Sequence, residues 1–309
     1  MSALSCHLED YLRLRRALGH ELAEAGRLLP RFVADLDANE LEFVTVKAAV
    51  EWSLEPAAAA RTTVWGRRFT VARGFARYLS GIDSRTEVPP AGLIPIHRHW
   101  RPPFIYSDAD VTALMEQAAR SIPQPLRAAT YQTLIGLLAA TGLRIGEAIR
   151  LDRGDIDFDQ GVLLVRRSKF GKSRVVPLQS STRDALDAYA ARRDRLCPRP
   201  ASESFFVSLR GTRIIYACVW PTHRALCQSA GVGAGATHPP RVHDHRHSFA
   251  VRTLVGWYRD GHDIHGRLPW LSTYLGHREP RYTYHYLSAA PELLAHAARL
   301  LERDQAVER

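Results

Sequence analysis

Residues 126–140 limit the fold of this chain more than any other stretch. From Leu126 to Ala140 nearly every position is apolar or small, with Leu134, Ile135, Leu137 and Leu138 in close succession. A helix that is apolar almost all round has to lie inside a protein body. It is too short to span a bilayer, which takes about 18 apolar residues in a row. No uninterrupted apolar run in the chain reaches that length. The segment therefore calls for a domain large enough to surround it. With 309 residues, 46% of them hydrophobic, the chain can supply that domain and a second one.

The chain before this helix reads as helical. Residues 7–26 carry Leu8, Tyr11, Leu12, Leu14, Leu18 and Leu22 at helical spacing. Gly26 and Pro30 are expected to interrupt this helix, and a second apolar stretch runs from Leu28 to Leu36. Thr45 can cap a third helix. Thr62 or Thr63 can start a fourth, with Trp65, Phe69, Ala72, Phe75, Ala76 and Leu79 on one side. Arg61, Arg67, Arg68, Arg73 and Arg77 form its other side, and Gly81 ends it. Such a stripe is either a solvated face or a contact for DNA phosphates. Residues 83–104 are rich in proline and read as a connector, basic at Arg98 and Arg101. The expected division is a helical domain over 1–95, a basic linker over 96–104 and a second domain over 105–309.

The second domain mixes both kinds of structure. Ser107 is expected to cap a helix running to Arg120. Gly161–Arg167 and Ser173–Leu178 read as a β-hairpin, whose turn holds Lys169 and Lys172. A helix with an exposed Arg-rich side is expected over Thr182–Leu196, and a short strand over Phe205–Leu209. Helices follow at about 216–230, 243–259, 268–276 and 291–303. The class is mainly α with a small antiparallel β-sheet.

Charge and cysteines narrow the function. A net charge of +10 favours polyanions, either nucleic acid or an anionic membrane face. Cys6, Cys197, Cys218 and Cys227 form no CxxC pair and no disulfide framework. The opening residues lack the apolar core of a signal peptide, so a reduced cytosolic protein is expected.

Six polar residues carry the chemistry. Arg144 follows Gly142 at the start of a helix, beside free backbone N–H groups, and is either a phosphate clamp or a surface partner of Glu147 or Asp152. Lys169 sits on a turn, where it can protonate a leaving oxygen or merely be solvated. His243 and Arg246 share a helix face and can touch one anion. His247 falls on the same side, and His243, His245 and His247 also alternate as metal ligands on a strand would. No carboxylate or cysteine cluster completes such a site, so no metal and no cofactor are expected. His277 follows Leu275-Gly276, and Tyr286 lies nine residues further on.

The order of these elements resembles the tyrosine recombinase, or phage-integrase-like, family. TGLRIGEA comes first, then a turn lysine followed by RVVPL, then HxxR ahead of an apolar helix, then LGH, then the tyrosine. The likeness covers about 105–290. It implies that Arg144, Lys169, His243, Arg246 and His277 activate a phosphate and that Tyr286 attacks it, with Lys172 as an alternative general acid. It implies an N-terminal helical core-binding (SAM-like) domain, an α+β catalytic domain and double-stranded DNA as partner. It also implies four protomers on two DNA sites, with a monomer or dimer in the free state. Candidate DNA contacts are Arg67, Arg68, Arg73, Arg77, Arg98, Arg101, Lys172 and Arg174. His245 departs from the family pattern, which has an apolar residue there. Rival functions are a topoisomerase of the same chemistry, a DNA-binding protein with a decayed site and a metal-dependent hydrolase.

Overall fold

The computed structural model describes residues 2–55, 62–94, 101–166 and 173–277, with positions 279, 281, 283, 284 and 286. It divides into two compact units, Met1–Trp100 and Arg101–Arg309.

The first unit holds helices α1 (Ala3–Ala17), α2 (Ala23–Ala38), α3 (Val46–Leu54) and α4 (Thr62–Leu79). Ser2 and Thr45 cap α1 and α3 by accepting the N–H groups of Ser5 and Ala48. The core gathers Leu8, Leu29, Phe32, Leu36, Trp52 and Phe75. Gly26 and Pro30 do not interrupt a helix, contrary to expectation: both lie inside α2. The break falls earlier, near Gly19, whose φ of +83° suits glycine. A proline inside a helix costs about 3 kcal/mol. Burying Leu28, Leu29, Phe32, Val33 and Leu36 along one face of α2 outweighs this, at about 1.5–3 kcal/mol for each large side chain.

The proline-rich connector needs a second correction. Residues 83–94 pack on this unit rather than standing free. The Glu87 N–H donates to the Val44 carbonyl, the Glu87 carboxylate accepts the Val46 N–H, and Arg73 Nε donates to the Pro89 carbonyl. Thr86 and Ile94 are buried.

The second unit holds α5 (Asp108–Ser121), α6 (Pro125–Thr141), α7 (Ile145–Arg150), α8 (Ser180–Leu196), α9 (Tyr216–Ser229), α10 (Asp244–Arg259) and α11 (Ile264–Leu275). Ser107 and Asp110 form a capping box at the start of α5. Helix α6 is the apolar segment, and it packs against α5, α8 and α10. Strands β1 (Ile156–Asp157), β2 (Val162–Val165) and β3 (Arg174–Pro177) form an antiparallel sheet in that order, with Leu163 opposite both Ile156 and Val176.

Three expectations change in this unit. Phe205–Leu209 is not a strand: Val207 within it makes only an isolated bridge with Arg213, and Ser204 just before it one with Asp152. Phe205 and Phe206 are both fully buried, which breaks the alternation a strand would need. The Arg-rich side of α8 is not all exposed: Arg193 is buried and donates to the carbonyls of Ser204 and Phe205. Helix α11 begins at Ile264, ahead of 268, because Asp263 caps it by accepting the Gly266 N–H. Among the described residues, no helix is long and apolar enough to cross a membrane. The segment 291–303 lies outside the described residues.

Candidate active site

Two glycines bring the ends of three helices together. Gly142 closes α6 with φ +62°, and a Cβ there would stand 2.5 Å from Cδ1 of Phe249 on α10. Gly276 closes α11 with φ +68°, and a Cβ there would stand 2.9 Å from Nη1 of Arg174. A side chain fits neither the backbone angle nor the space. Helices α6 and α11 therefore present their terminal carbonyls, the negative ends of their dipoles, to the first turn of α10.

Arg246 projects from that turn. It is only 1% exposed, and it donates from Nη1 to the Gly142 carbonyl (2.9 Å) and from Nη2 to the Leu275 carbonyl (2.5 Å). Burial and the neighbouring Arg144 charge push its pKa down to about 10, so it stays cationic at neutral pH. Arg144 precedes α7 and donates from Nη2 to the Gly276 carbonyl (3.2 Å). A guanidinium has five N–H donors, so bonds of this kind leave others for a ligand.

Glu147 organises the second side. It is buried, accepts the Arg144 backbone N–H (2.9 Å) and Arg144 Nη1 (2.8 Å), and takes a two-pronged contact from Arg174 (3.0 and 2.9 Å). Burial alone would raise its pKa, but the Arg174 bonds and charge, with Arg144 behind them, bring it down to about 2. Glu147 thus occupies the N-terminus of α7, which the sequence reading left open for phosphate. It serves as a brace that aims Arg144. Arg174 is held from a third side, since its Nε also donates to the Tyr274 carbonyl (2.7 Å).

The histidines separate by side. His243 stands at the cap position of α10, and its ring lies 5.0 Å from that of His247, at right angles. His243 keeps an exposed edge, yet partial enclosure and then the Arg246 charge lower its pKa. His277 follows Gly276, and its Nδ1 is 2.8 Å from the Thr283 hydroxyl. Burial, then Arg246 and Arg144, push His277 down to about 4, so it is neutral. Tyr286 is 3% exposed and lies between two rings, His247 at 5.3 Å and His277 at 6.0 Å. His245 faces the other way, stacked on Tyr106 at 4.1 Å with Nε2 3.1 Å from His223 Nε2. The alternation of 243, 245 and 247 therefore splits across the helix. Among the described residues, no group of three or more His, Cys, Asp or Glu could hold a metal ion.

Five of the six expected residues thus meet in one place: Arg144, His243, Arg246, His277 and Tyr286. Lys169 lies outside the described residues, although β3 brings Arg174, the first residue after the turn region to be paired, into this network. Glu147, Arg174 and Thr283 complete the site and were not assigned to it from sequence. Only Glu147 left a signal there, the carboxylate three residues after a cap position.

Comparison with known proteins gives this geometry its context. Residues 106–292 match the model of the phage integrase family. The chain is 41% identical to the putative integrase/recombinase y4rB of Sinorhizobium fredii over 98% of both chains. It is 33% identical to the tyrosine recombinase XerD of Pseudomonas aeruginosa, covering 79% of this chain and 81% of that one. The chain belongs to the phage integrase family. It is a tyrosine recombinase, an enzyme that cleaves and rejoins DNA at specific sites through a 3′-phosphotyrosyl bond. Relatives named as integrases and recombinases disfavour the topoisomerase and the decayed DNA-binding protein. The fold agrees with solved structures: the Tn1549 transposon integrase in complex with transposon right end DNA (TM-score 0.66, 16% identity, 96% of this chain and 98% of that one) and the XerA recombinase (TM-score 0.52, 22% identity, 96% and 98%).

The expected DNA contacts of the recombinase divide. Arg174 is half-buried between Glu147 and the Tyr274 carbonyl, where it braces the site. The Arg68 guanidinium lies over the Trp52 ring at 3.9 Å and donates to Glu55. Arg73 is half-buried against Pro89. Arg67, with an ion pair to Glu24, is exposed, as are Arg77 and Arg101. Arg98 and Lys172 lie outside the described residues.

Proposed function

We propose that the two arginines grip the scissile phosphate while Tyr286 attacks it. One observation carries this reading. Arg144, Arg174 and Arg246 converge around a single carboxylate, Glu147, which leaves a formal excess of two positive charges in a largely enclosed site. A phosphodiester brings one negative charge, and the five-coordinate transition state brings a second. The site is therefore complementary to the transition state more than to the ground state.

The steps follow from the groups. Arg144 and Arg246 bond the non-bridging oxygens, with neutral His277 donating beside them. The Tyr286 oxygen forms a bond to phosphorus as the bond to the 5′-oxygen breaks. His243, held near neutral by its surroundings, accepts the tyrosyl proton. Lys169, or Lys172 in its place, protonates the departing 5′-oxygen. The phosphotyrosyl ester keeps the bond energy, so a 5′-hydroxyl of a partner strand can displace Tyr286 without ATP.

The helical unit is proposed as the core-binding domain, with its Arg67 and Arg77, and Arg101 at the start of the second unit, against phosphates and four protomers assembling on two sites. A DNA substrate suits a cytoplasmic enzyme. The test uses a pool of random-sequence nicked duplexes. The wild-type protein should yield denaturation-resistant adducts linked at Tyr286, and sequencing them reads the target. Tyr286→Phe should yield none; an adduct on that variant would overturn the assignment.

A further inference from the structure

Tyr286 is three residues beyond Thr283, a side chain fully buried beside His277. Buried threonines on helices usually return their hydroxyl hydrogen to the carbonyl four residues back. Thr130 and Thr141 do so here, to Leu126 and Leu137. Thr283 does not. Among the described residues its hydroxyl has one hydrogen-bond partner, Nδ1 of His277 at 2.8 Å.

A hydroxyl has one hydrogen, and a neutral imidazole has one N–H. If Nδ1 carried the ring hydrogen, it would donate to Thr283, and the buried O–H would be left without an acceptor. Such a stranded polar group is disfavoured. If Thr283 donates instead, Nδ1 is the bare acceptor and the ring hydrogen sits on Nε2. Both groups are then satisfied. The difference matters at a phosphate. Nε2 with a hydrogen donates to a non-bridging oxygen, whereas bare Nε2 sets a lone pair against an anion.

We propose that Thr283 sets the tautomer of His277, donating to Nδ1 so that neutral His277 offers Nε2–H to the scissile phosphate. Thr283 is a positioning residue, and the inference rests on the reading of His277 as a phosphate-binding group. The surroundings make a tautomer switch necessary. Arg246, Arg144, Arg174 and His243 all act on His277 against a second proton, with Tyr286 stacked on its face. The ring cannot simply become imidazolium and donate from both nitrogens at neutral pH.

The test uses the full chain. Nitrogen-15 NMR of the histidine rings distinguishes the tautomers, with the His277 signal assigned by its loss in His277→Gln. Wild type and Thr283→Ser should show hydrogen on Nε2, and Thr283→Val should move it wholly or partly to Nδ1. Cleavage of nicked DNA by Thr283→Val should fall by about 10- to 100-fold, within the range of losing one oxyanion donor. The serine variant should restore it. The valine defect should shrink as pH falls toward 4, where the His277 ring takes up its second hydrogen and donates from both nitrogens whatever its neighbour. A merely structural role would show no such recovery. Hydrogen on Nδ1 in the wild type, or a valine variant that cleaves normally, overturns the assignment of Thr283. A His277→Gln protein that cleaves normally would instead overturn the role of His277 itself, and with it the purpose of the tautomer.

Discussion

Arg246 does two tasks with one guanidinium, and a substitution can separate them. It bridges the carbonyls of Gly142 and Leu275 from inside the protein, and it is proposed to hold the phosphate. Lysine keeps the charge but is a single ammonium on a flexible stem, unable to span both carbonyls and an oxyanion. Arg246→Lys should lower cleavage by about 10²–10³-fold, the scale of one lost oxyanion donor. It should also lower the melting temperature, because one buried carbonyl loses its donor; calorimetry beside a suicide-substrate assay reads both. Glu147→Gln tests the brace. An amide cannot accept the full fork of Arg174 and leaves two half-buried cations facing each other over a buried site, so stability should fall by about 3 kcal/mol in urea titration. These residues differ in legibility. Arg246 stands out through its HxxR spacing and Arg144 through TGLR. The carbonyls that hold Arg246 lie 104 and 29 residues away in sequence, and no local pattern encodes them. Arg174 read only as a candidate DNA contact because its two partners, Glu147 and the Tyr274 carbonyl, come from distant elements.

Helix α10 shows how one element can serve two environments. His243, Arg246 and His247 face the candidate site, while His245 enters the core against Tyr106 and His223. Both core histidines are buried, and burial pushes His223 down to about 4 and His245 well below its usual value. They are neutral when folded and take up protons near pH 6.5 when unfolded. The unfolded state therefore binds more protons between about pH 4 and 6.5, and stability must decline as pH falls through that window. At about 1.4 kcal/mol for each pKa unit, His223 alone contributes a loss of roughly 3 kcal/mol by pH 4. Urea midpoints measured from pH 7.5 to 4 should drop steeply for the wild type. His245→Leu combined with His223→Leu should flatten the curve while leaving neutral-pH cleavage near wild type, since neither ring faces Tyr286. Caps such as Ser107 and Thr45 were plain in the sequence because a cap is a local bond. Strand β1, two residues long, was not, because only its partner β2 makes it a strand.

At the scale of the molecule, the two bodies were visible as helical periodicity, then prolines, then the apolar segment that became α6. The packing of residues 83–94 was not, since they join the first body through contacts to Val44, Val46 and Arg73 rather than through any pattern of their own. The division predicts how affinity and chemistry separate. All eight described residues of the candidate site belong to Arg101–Arg309. That fragment should fold alone and retain the cleavage step once DNA is bound. It should bind more weakly, because every phosphate contact from the helical unit is lost. Counterion release gives this a number: log K falls against log salt with a slope of about 0.9 for each phosphate neutralised. Arg67→Ala and Arg77→Ala in the full chain should each reduce that slope by roughly 1 if the exposed side of α4 lies on DNA. Arg68→Ala should leave the slope unchanged and lower stability instead, as its guanidinium is committed to Trp52 and Glu55. Fluorescence anisotropy across a salt series, with cleavage measured at saturating protein, distinguishes the two outcomes. Equal slopes for the fragment and the full chain would show that the helical unit makes no phosphate contact.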